Sequence, residues 1–352
     1  MTKREYKIVG VMSGTSLDGI DLAYITFNLD TTWKFKIECC NTISYSEEWL
    51  HILKHLVTTS SEELQQIDMR YTAHVAEVIN TFITENNIQD VDAICTHGHT
   101  ALHQPENGLT YQIGNLKELA TLTKHKVVCD FRVQDVALGG QGAPLVPIGD
   151  QLLFSEYDYC LNLGGFANVS YLENHKRIAY DICPANIVLN KYANKLGLPY
   201  DDKGEIAKSG VFIDHLETQL RDLPFYKQSS PKSLGLEWVE TEILPKLEAS
   251  KHKEADILRT FTEHIANEIA ASFKTEAKVL VTGGGAYNDY LMSRINAKKV
   301  LKLKIPSKEL IEFKEALIFG FLGVLKMRDE VNCLASVTGA KQDHSSGKIY
   351  LP

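Results

Sequence analysis

The residues most capable of chemistry lie between two apolar runs, residues 8–12 and 20–27, near the start of the chain. This pattern predicts two strands joined by a tight, glycine-containing turn. Backbone N–H groups and the hydroxyls of such a turn can bind a phosphate, and Asp18 and Asp21 can hold a hydrated Mg²⁺. An ordinary hairpin with polar turn residues is the alternative. The turn is not a P-loop, because no Gly-Lys-Ser/Thr ending follows it.

Three further glycine-rich turns follow strand-like runs, at residues 139–142, 164–165 and 283–285. One such turn alone is most simply explained by tight packing. Four of them at strand ends in one chain favour a nucleotide site, since a helix N-terminus facing such a turn attracts an anion.

Two charged residues close predicted strands. Asp181 is placed at the end of a strand, where a carboxylate facing a cleft suits a general base; a role at the N-terminus of the next helix is the alternative. Arg132 follows a buried strand and can hold a carboxylate through two N–H groups. Its alternative is a structural salt bridge with Asp130 or Asp135.

His97, His99 and His103 lie close together in Thr-His-Gly-His-Thr-Ala-Leu-His. Alternate histidines on a strand could share one face, so a Zn²⁺ site is conceivable. No cysteine or carboxylate stands nearby at a recognised ligand spacing. Hydrogen bonding to a polar substrate, or support of the residues that contact it, is therefore the favoured interpretation.

These residues need a frame of strands and helices. Strands are predicted at 8–12, 20–27, 35–44, 91–96, 126–130, 159–163, 167–172, 178–182 and 278–282. Helices are predicted at 47–58, 61–86, 117–124, 186–196, 209–220, 255–274, 289–296 and 314–328, with exposed loops at 201–208 and 226–233. The unit of strand, glycine turn and strand occurs twice, which suggests a duplicated α/β fold with a nucleotide in the cleft between its halves. The glycine-rich segment 138–144 is a plausible domain boundary.

Length, charge and cysteine content argue against several classes of protein. A chain of 352 residues is long enough for two domains. The net charge of −8 argues against nucleic acid or an anionic membrane as the main partner. Seven cysteines without a repeated CxxC spacing suggest reduced thiols in a cytoplasmic protein. No secretory signal is apparent, and the longest apolar stretch, residues 316–325, is far shorter than the roughly 20 residues of a membrane span.

Taken together, the motifs resemble the anhydro-N-acetylmuramic acid kinases, a family within the superfamily of actin-like and sugar-kinase ATPases. The similarity extends from Gly10 to Thr338-Gly339-Ala340. Its signatures are GVMSGTSLDGID (10–21), THGHTALHQP (96–105), YQIG (111–114), VVCDFRVQDVALGGQGAPLVP (127–147), LNLGGFANVS (161–170) and VTGGGAYNDYL (281–291).

The resemblance implies an α/β fold of two actin-like, ribonuclease H-like domains, with mixed sheets flanked by helices and a nucleotide cleft between them. The domains expected are 1–134 plus the tail 338–352, and 135–337. The implied activity uses ATP and Mg²⁺: water opens the 1,6-anhydro bond of the sugar and O6 receives the γ-phosphoryl group. The product is N-acetylmuramic acid 6-phosphate, an intermediate of peptidoglycan recycling. The implied partner is this small sugar, and a homodimer is a further expectation.

The resemblance also assigns residues. Asp181 matches the base that activates water. The cofactor-binding positions are Gly14, Thr15, Ser16, Leu17, Asp18, Gly19, Ile20, Asp21, Gly164, Gly165, Asn168, Gly283, Gly284, Gly285 and Asn288. The sugar positions are Ser13, His97, Arg132 and Glu315. Asp18 and Asp21 are expected to meet the metal through water.

The sequence departs from the family pattern in places. Ile182-Cys183-Pro184-Ala185 stands where the family usually has Thr-Gly-Pro-Gly. His99 replaces a usual Gln, Asn115 a usual Asp, and Gly149-Asp150 a common aromatic-His pair. These changes leave two alternatives open: a related amino-sugar kinase with an altered sugar pocket, and an ATP-binding regulator with weakened catalysis.

Overall fold

The computed structural model describes residues 3–352, which divide into two compact units. The first unit comprises the chain up to Leu153 together with Phe313–Pro352, and the second comprises Phe154–Glu312. The strands are β1 (Glu5–Ser13), β2 (Ile20–Leu29), β3 (Trp33–Ile43), β4 (Ala93–Thr96), β5 (His99–Gln104), β6 (Leu109–Ile113), β7 (Val127–Cys129), β8 (Tyr159–Leu163), β9 (Phe166–Glu173), β10 (Lys176–Pro184), β11 (Lys278–Thr282), β12 (Lys302–Lys304) and β13 (Lys348–Tyr350).

The α-helices are α1 (Glu47–Lys54), α2 (Ser61–Glu85), α3 (Glu118–Thr123), α4 (Val133–Ala137), α5 (Val146–Leu153), α6 (Asn186–Lys195), α7 (Glu205–Ser209), α8 (Asp214–Arg221), α9 (Leu236–Trp238), α10 (Leu244–Ala249), α11 (Glu254–Ser272), α12 (Asp289–Lys298), α13 (Lys308–Met327) and α14 (Ala335–Thr338). None of the helices in the described part of the chain is long and apolar enough to cross a membrane.

The first unit is built on a mixed six-stranded sheet in the order β13-β7-β4-β1-β2-β3. The central strand β1 is antiparallel to β2 and parallel to β4. Val9, Val11 and Leu22 are fully or almost fully buried in one cluster with apolar residues of α2. Because β1 is covered on both faces, its sequence is a nearly continuous apolar run rather than an alternating one.

Helix α13 lies against the other face of β1. A Cβ on Gly10 would stand 2.2 Å from the carbonyl oxygen of Ala316, so only glycine permits this close approach of strand and helix backbone. A Cβ on Gly320 would likewise stand 3.3 Å from Ile25 and 3.4 Å from Ile8. The helix departs from helical geometry at Phe313, where the boundary between the units falls.

The second unit is built on a mixed five-stranded sheet in the order β10-β9-β8-β11-β12. Strands β8, β9 and β10 form an antiparallel meander, and β11 is parallel to β8 and β12. Leu161, Val169 and Val279 pack in one buried cluster with Phe261 and Ile265 of α11. The helix therefore covers the face of the sheet that presents these apolar side chains.

The predicted α/β fold with mixed sheets flanked by helices is confirmed in both units. The unit boundaries differ from the expected domains, since residues 135–153 and 313–337 pack with the first unit. The close contacts of α13 with β1 explain this, as does Gly149 of α5, whose Cβ would stand 2.2 Å from Ile318 of α13. The glycine-rich segment 138–144 is thus an internal loop of the first unit.

Other differences are local. The helix predicted at 209–220 is wrong at its start, because α7 ends at Ser209 and α8 begins at Asp214. The loop predicted at 201–208 contains most of α7. The hairpin of β5 and β6 was not predicted as a pair of strands. All seven cysteines are free thiols, as the sequence suggested.

Candidate active site

The loop between β1 and β2 runs from Gly14 to Gly19. The two strands pair up to Ser13 and Ile20, so the predicted hairpin is confirmed, but its connection has six residues rather than a tight turn. Leu17 adopts a left-handed conformation (φ 64°) and donates its N–H to the carbonyl of Gly14. Thr15, Ser16 and Asp18 remain solvent-exposed and can meet a ligand, whereas Asp21 lies in β2 and accepts a hydrogen bond from Thr42 (2.5 Å).

A cavity of about 240 Å³ adjoins this loop within the first unit. Its lining comes from the end of β1, the loop, strand β5 and the segments after β4 and β7. The residues are Met12, Ser13, Gly14, Thr15, His97, Thr100, His103, Arg132 and Ala143. The structure thus brings together Ser13, His97 and Arg132, three of the four residues expected to contact the sugar.

Arg132 is fixed at the cavity by two hydrogen bonds. Its Nε donates to Nε2 of His97 (2.8 Å) and its Nη1 donates to the carbonyl of Gly142 (2.6 Å). Nη2 has no hydrogen-bond partner in the described part of the chain and can serve a ligand. Burial lowers the pKa of Arg132 to about 10, so the guanidinium is still a cation at neutral pH.

His97 is neutral in this arrangement. Its Nδ1 donates to the carbonyl of Gly98 (2.8 Å), which leaves Nε2 as the acceptor for Arg132. Burial and the Arg132 charge both hold the pKa of His97 well below its usual value. The alternative salt bridges of Arg132 do not form, because Asp130 pairs with Lys348 (2.9 Å) and Asp135 accepts from the N–H of Gly142.

Ser13 is held by a buried hydrogen-bond network that the sequence did not reveal. Its Oγ lies 2.6 Å from the hydroxyl of Tyr45, 2.8 Å from that of Tyr71 and 2.8 Å from Nδ1 of His99. Burial lowers the pKa of His99 to about 4, so this imidazole is neutral at pH 7. His99, which stands where the family usually has Gln, therefore serves as a neutral hydrogen-bonding group behind the cavity.

The histidines do not form the zinc site that was considered. Within residues 3–352, each imidazole already has a hydrogen-bond partner. His97 bonds to Arg132, His99 to Ser13, and His103 to the hydroxyl of Thr110 (3.0 Å). All three hydrogen bonds are to protein groups, which fits the supporting role, and hydrogen bonding of these histidines to a substrate stays a prediction.

Glu315 lies near the start of α13. Desolvation raises its pKa, and the neighbouring charge of Arg132 opposes that rise while Asp21 adds to it. The preceding residue, Lys314, forms a buried ion pair with Asp150 (2.8 Å). This pair accounts for the Asp at position 150, because the carboxylate lies against the charge of a buried lysine.

Asp181 lies inside β10 rather than at its end, which corrects the expected position. The strand continues to Pro184, and the register shifts between Asp181 and Cys183. The Oδ2 atom accepts from the N–H of Leu234 (2.8 Å), and the Asp181 N–H donates to the carbonyl of Lys232 (3.0 Å). Burial raises the pKa of Asp181 and the Leu234 hydrogen bond opposes the rise.

The helix-cap alternative for Asp181 is wrong. The N-cap of α6 is Ala185, which makes no side-chain cap, and Asp181 bonds to a different segment. Asn168 stands directly opposite Asp181 in the register, and Asn162 stands opposite Asn168. Side chains paired in this way point to the same face of the sheet, so three polar residues lie side by side across β8, β9 and β10.

The turn Gly164-Gly165 binds the first turn of α6. The carbonyl of Gly165 accepts from the N–H groups of Ala185 (2.8 Å) and Ile187 (3.1 Å), and the carbonyl of Gly164 accepts from that of Asn186 (3.2 Å). These backbone donors are thereby satisfied, so any anion at this turn must be bound by other groups.

Two glycines of the triplet Gly283-Gly284-Gly285 are required for close packing. A Cβ on Gly283 would stand 2.6 Å from Oδ1 of Asn162, and one on Gly285 would stand 2.7 Å from Leu163. Gly284 is more open, with its nearest neighbour at 4.0 Å. A short 3₁₀ helix (Gly284–Tyr287) separates β11 from α12, and Asn288 caps α12 by accepting from the N–H of Leu291 (2.9 Å).

Comparison with known proteins identifies the family. The family model "Anhydro-N-acetylmuramic acid kinase" matches residues 6–352. This chain belongs to that family. The anhydro-N-acetylmuramic acid kinase of Actinobacillus pleuropneumoniae serotype 7 is 35% identical over 373 residues, covering 99% of this chain and 100% of the relative. Those of Sulfurimonas denitrificans (34% identical; 97% and 98% covered) and Bacillus cereus (32% identical; 98% and 99% covered) are similar over nearly their full lengths.

Membership confirms the resemblance drawn from the motifs, and it makes the chain a sugar kinase, an enzyme that transfers a phosphoryl group to an alcohol. It supports the leading interpretation of the sequence and gives no support to the altered amino-sugar kinase or the regulator.

Proposed function

We propose that this chain converts 1,6-anhydro-N-acetylmuramic acid and ATP into N-acetylmuramic acid 6-phosphate and ADP, with one water added at C1. The observation that carries the proposal is the similarity over 99% of this chain and 100% of an anhydro-N-acetylmuramic acid kinase. Such a reaction would return cell-wall sugar to metabolism. We propose a cytoplasmic location on the ground that every cysteine is a free thiol.

The sugar is assigned to the cavity of the first unit. Its lactyl carboxylate can accept a charge-assisted hydrogen bond from Nη2 of Arg132, whose Nε and Nη1 already donate to His97 and Gly142. Neutral His97 keeps the guanidinium in place without adding a competing positive charge. Ser13 and Glu315 complete the proposed sugar contacts, Ser13 from the lining of the cavity itself.

Asp181 is assigned as the general base. The Leu234 N–H occupies one carboxylate oxygen, which leaves Oδ1 for the proton of the attacking water. Burial makes this carboxylate a stronger base than an exposed Asp, because its charged form is less well solvated. As the water oxygen bonds to C1, the C1–O6 bond breaks, and O6 attacks the γ-phosphorus of ATP while the bond to the β-phosphate oxygen breaks.

The loop Gly14–Gly19 is assigned to the phosphates of ATP, with Ile20 and Asp21 following in β2. Its exposed Thr15 and Ser16 supply hydroxyl donors, and Asp18 and Asp21 supply oxygen atoms of the kind that hydrated Mg²⁺ prefers. Bound Mg²⁺ would neutralise charge on the phosphates. In the second unit, Gly164, Gly165, Asn168, Gly283, Gly284, Gly285 and Asn288 are the proposed nucleotide contacts.

Two details refine these assignments. Gly284 is the member of its triplet with open space beside it, so it is the best placed to admit a ligand. Asn288 already uses Oδ1 as a helix cap, which leaves its amide N–H₂ for the nucleotide. Each unit is proposed to be one actin-like domain, and the homodimer is a further proposal that sedimentation of the purified chain would test.

The decisive experiment is turnover in ¹⁸O-water, read by mass spectrometry. The proposal expects one ¹⁸O on the sugar at C1 and none in the transferred phosphoryl group. Label in free phosphate, without formation of sugar phosphate, would mean simple ATP hydrolysis and refute the assignment. Omission of the sugar is the matched control, and it should abolish ADP formation.

A further inference from the structure

A buried group of three metal-ligand side chains lies in the first unit, apart from the cavity. It consists of Asp135 in α4 and of Cys333 and His344 in the C-terminal segment. Their side chains are 0%, 1% and 6% exposed. One donor atom from each lies within 4.8 Å of the other two. Carboxylate, thiolate and imidazole are the three ligand types that zinc takes in proteins, so the group is chemically suited to one ion.

The imidazole of His344 supplies the argument for a ligand. Its Nδ1 donates to the carbonyl of Gln342 (3.0 Å), so Nε2 carries a lone pair. Nε2 is buried and has no hydrogen-bond partner among the described residues. It faces Oδ1 of Asp135 at 3.6 Å, which is also an acceptor. Oδ1 of Asp135 already accepts from Cys333 and Thr338, so the buried lone pair of His344 Nε2 is the unsatisfied group, and a metal cation at this point would satisfy it.

Two of the donor–donor distances are close to those of a zinc site. The sulfur of Cys333 lies 3.0 Å from Oδ1 of Asp135. Zinc–ligand bonds of about 2.0–2.3 Å in a tetrahedron place sulfur and oxygen about 3.5 Å apart and nitrogen and oxygen about 3.3 Å apart. The observed sulfur–oxygen distance of 3.0 Å and nitrogen–oxygen distance of 3.6 Å are each within about half an ångström of these spacings.

The surroundings hold all three ligands in position. Cys333 and His344 exchange backbone hydrogen bonds (both 3.1 Å), which fixes them side by side. The carboxylate of Asp135 also accepts from Thr338 (2.7 Å) and from the N–H of Gly142 (2.7 Å). Outer hydrogen bonds of this kind orient metal ligands.

The charge balance is favourable. Zn²⁺ with one thiolate, one carboxylate and a neutral imidazole forms a complex of zero net charge. The positive charge of nearby Arg132 is then matched by Glu315, with which it interacts. When the zinc–sulfur bond forms, the thiol proton now donated to Asp135 is released to solvent.

We propose that Asp135, Cys333 and His344 bind one zinc ion, with the fourth tetrahedral position left for water. The ion ties the C-terminal segment to α4. It also supports the loop at Gly142, because the same carboxylate accepts from Gly142 and the Gly142 carbonyl accepts from Arg132. The proposed role of the ion is to hold these segments together, and it does not depend on the proposed reaction.

The test uses the full chain, stripped of metal by a chelator and titrated with Co²⁺ and then Zn²⁺ in the absence of substrates. The proposal expects a thiolate-to-cobalt absorption band that saturates at one ion per chain and disappears when zinc displaces cobalt. It also expects the melting temperature to rise with zinc. Cys333→Ser should abolish the band. His344→Gln should weaken metal binding by more than about 100-fold, which is more than the loss of a residue that only hydrogen-bonds to a metal ligand would cause.

Two control variants separate this site from others. Cys39→Ser removes a thiol in β3 and should leave the band intact. His55→Gln breaks the exposed pair of His51 and His55, whose rings lie 4.6 Å apart, and so removes an adventitious surface site without a thiolate. Saturating cobalt that produces no thiolate band in the wild-type chain would overturn the proposal. So would equal metal affinity in the wild type, Cys333→Ser and His344→Gln. If either variant fails to fold by circular dichroism, the wild-type spectrum alone decides.

Discussion

Replacement of Asp181 by Asn isolates its proposed role as a base. The two side chains have the same shape, and the Asn carbonyl can still accept from the N–H of Leu234. Loss of a general base costs about 10²–10⁴ in rate, or about 3–5 kcal/mol in activation free energy. A hydrogen bond to a charged acceptor is worth about 1.5–3 kcal/mol and one to a neutral acceptor about 0.5–1.5 kcal/mol. Asp181→Asn weakens this hydrogen bond by about 1 kcal/mol, but it also removes a buried charge whose desolvation raises the pKa of Asp181, so the free energy of unfolding should change by no more than about 1 kcal/mol.

The assay measures sugar phosphate formation by mass spectrometry and, separately, nucleotide affinity and urea unfolding. Turnover should fall at least about 100-fold because the general base is lost, while nucleotide affinity stays nearly unchanged. Asp181→Ala is the matched comparison, because it also leaves the Leu234 N–H without its acceptor and should unfold at lower urea. If Asp181→Asn retains turnover within threefold of the wild type, Asp181 is not the base and its role is to anchor the 232–234 segment.

Three other perturbations test the fold and the site. Gly10→Ala should destabilise the chain by about 1–3 kcal/mol in urea unfolding, because the new Cβ would stand 2.2 Å from the carbonyl oxygen of Ala316. Gly165→Ala is the control, since its Cβ would be 3.8 Å from the nearest atom. Equal losses of stability in the two variants would contradict the packing argument. The pKa of His99 falls from an unfolded value of about 6.5 to about 4, so the unfolded chain binds the extra proton between these values. The free energy of unfolding should then decline as pH drops from 6.5 to 4, and His99 should account for at most about 3 kcal/mol of that decline. His99→Gln should make the decline smaller. An unchanged pH profile of urea unfolding in this variant would refute the assignment of His99 as a buried neutral imidazole. Ile182→Thr restores the family residue and should lower the free energy of unfolding by about 1–3 kcal/mol, because it places a hydroxyl at a position that is 2% exposed. The kcat/KM of this variant should change less than tenfold. A larger gain would show that the segment 182–185 limits catalysis.

The sequence predicted those elements whose signals are local. The run around β1 is apolar on both faces, and α2 begins after Ser60, whose hydroxyl accepts from the N–H of Glu63. Both were predicted close to their observed bounds. The hairpin of β5 and β6 was missed because its strands contain histidine, threonine and glutamine rather than an apolar alternation.

The site divides in the same way. The family resemblance places Arg132 and His97 near the sugar, and the structure joins them by a hydrogen bond. The partners of Ser13 could not be found, because Tyr45 and Tyr71 lie 32 and 58 residues away along the chain and carry no motif. The boundary after Leu153 was missed since it depends on contacts of α13, which come from the other end of the sequence.

The bonding of α6 to the turn Gly164-Gly165 restricts where members of this family can differ in length. Two carbonyls of a two-residue turn accept three amides of the helix start. One inserted residue would displace an acceptor by roughly 3.5 Å and leave buried donors unpaired. The alignment with the Actinobacillus relative spans 373 positions against the 352 residues of this chain, so the relative carries insertions. Those insertions should fall in exposed connections, and this turn should keep its two residues in every functional member.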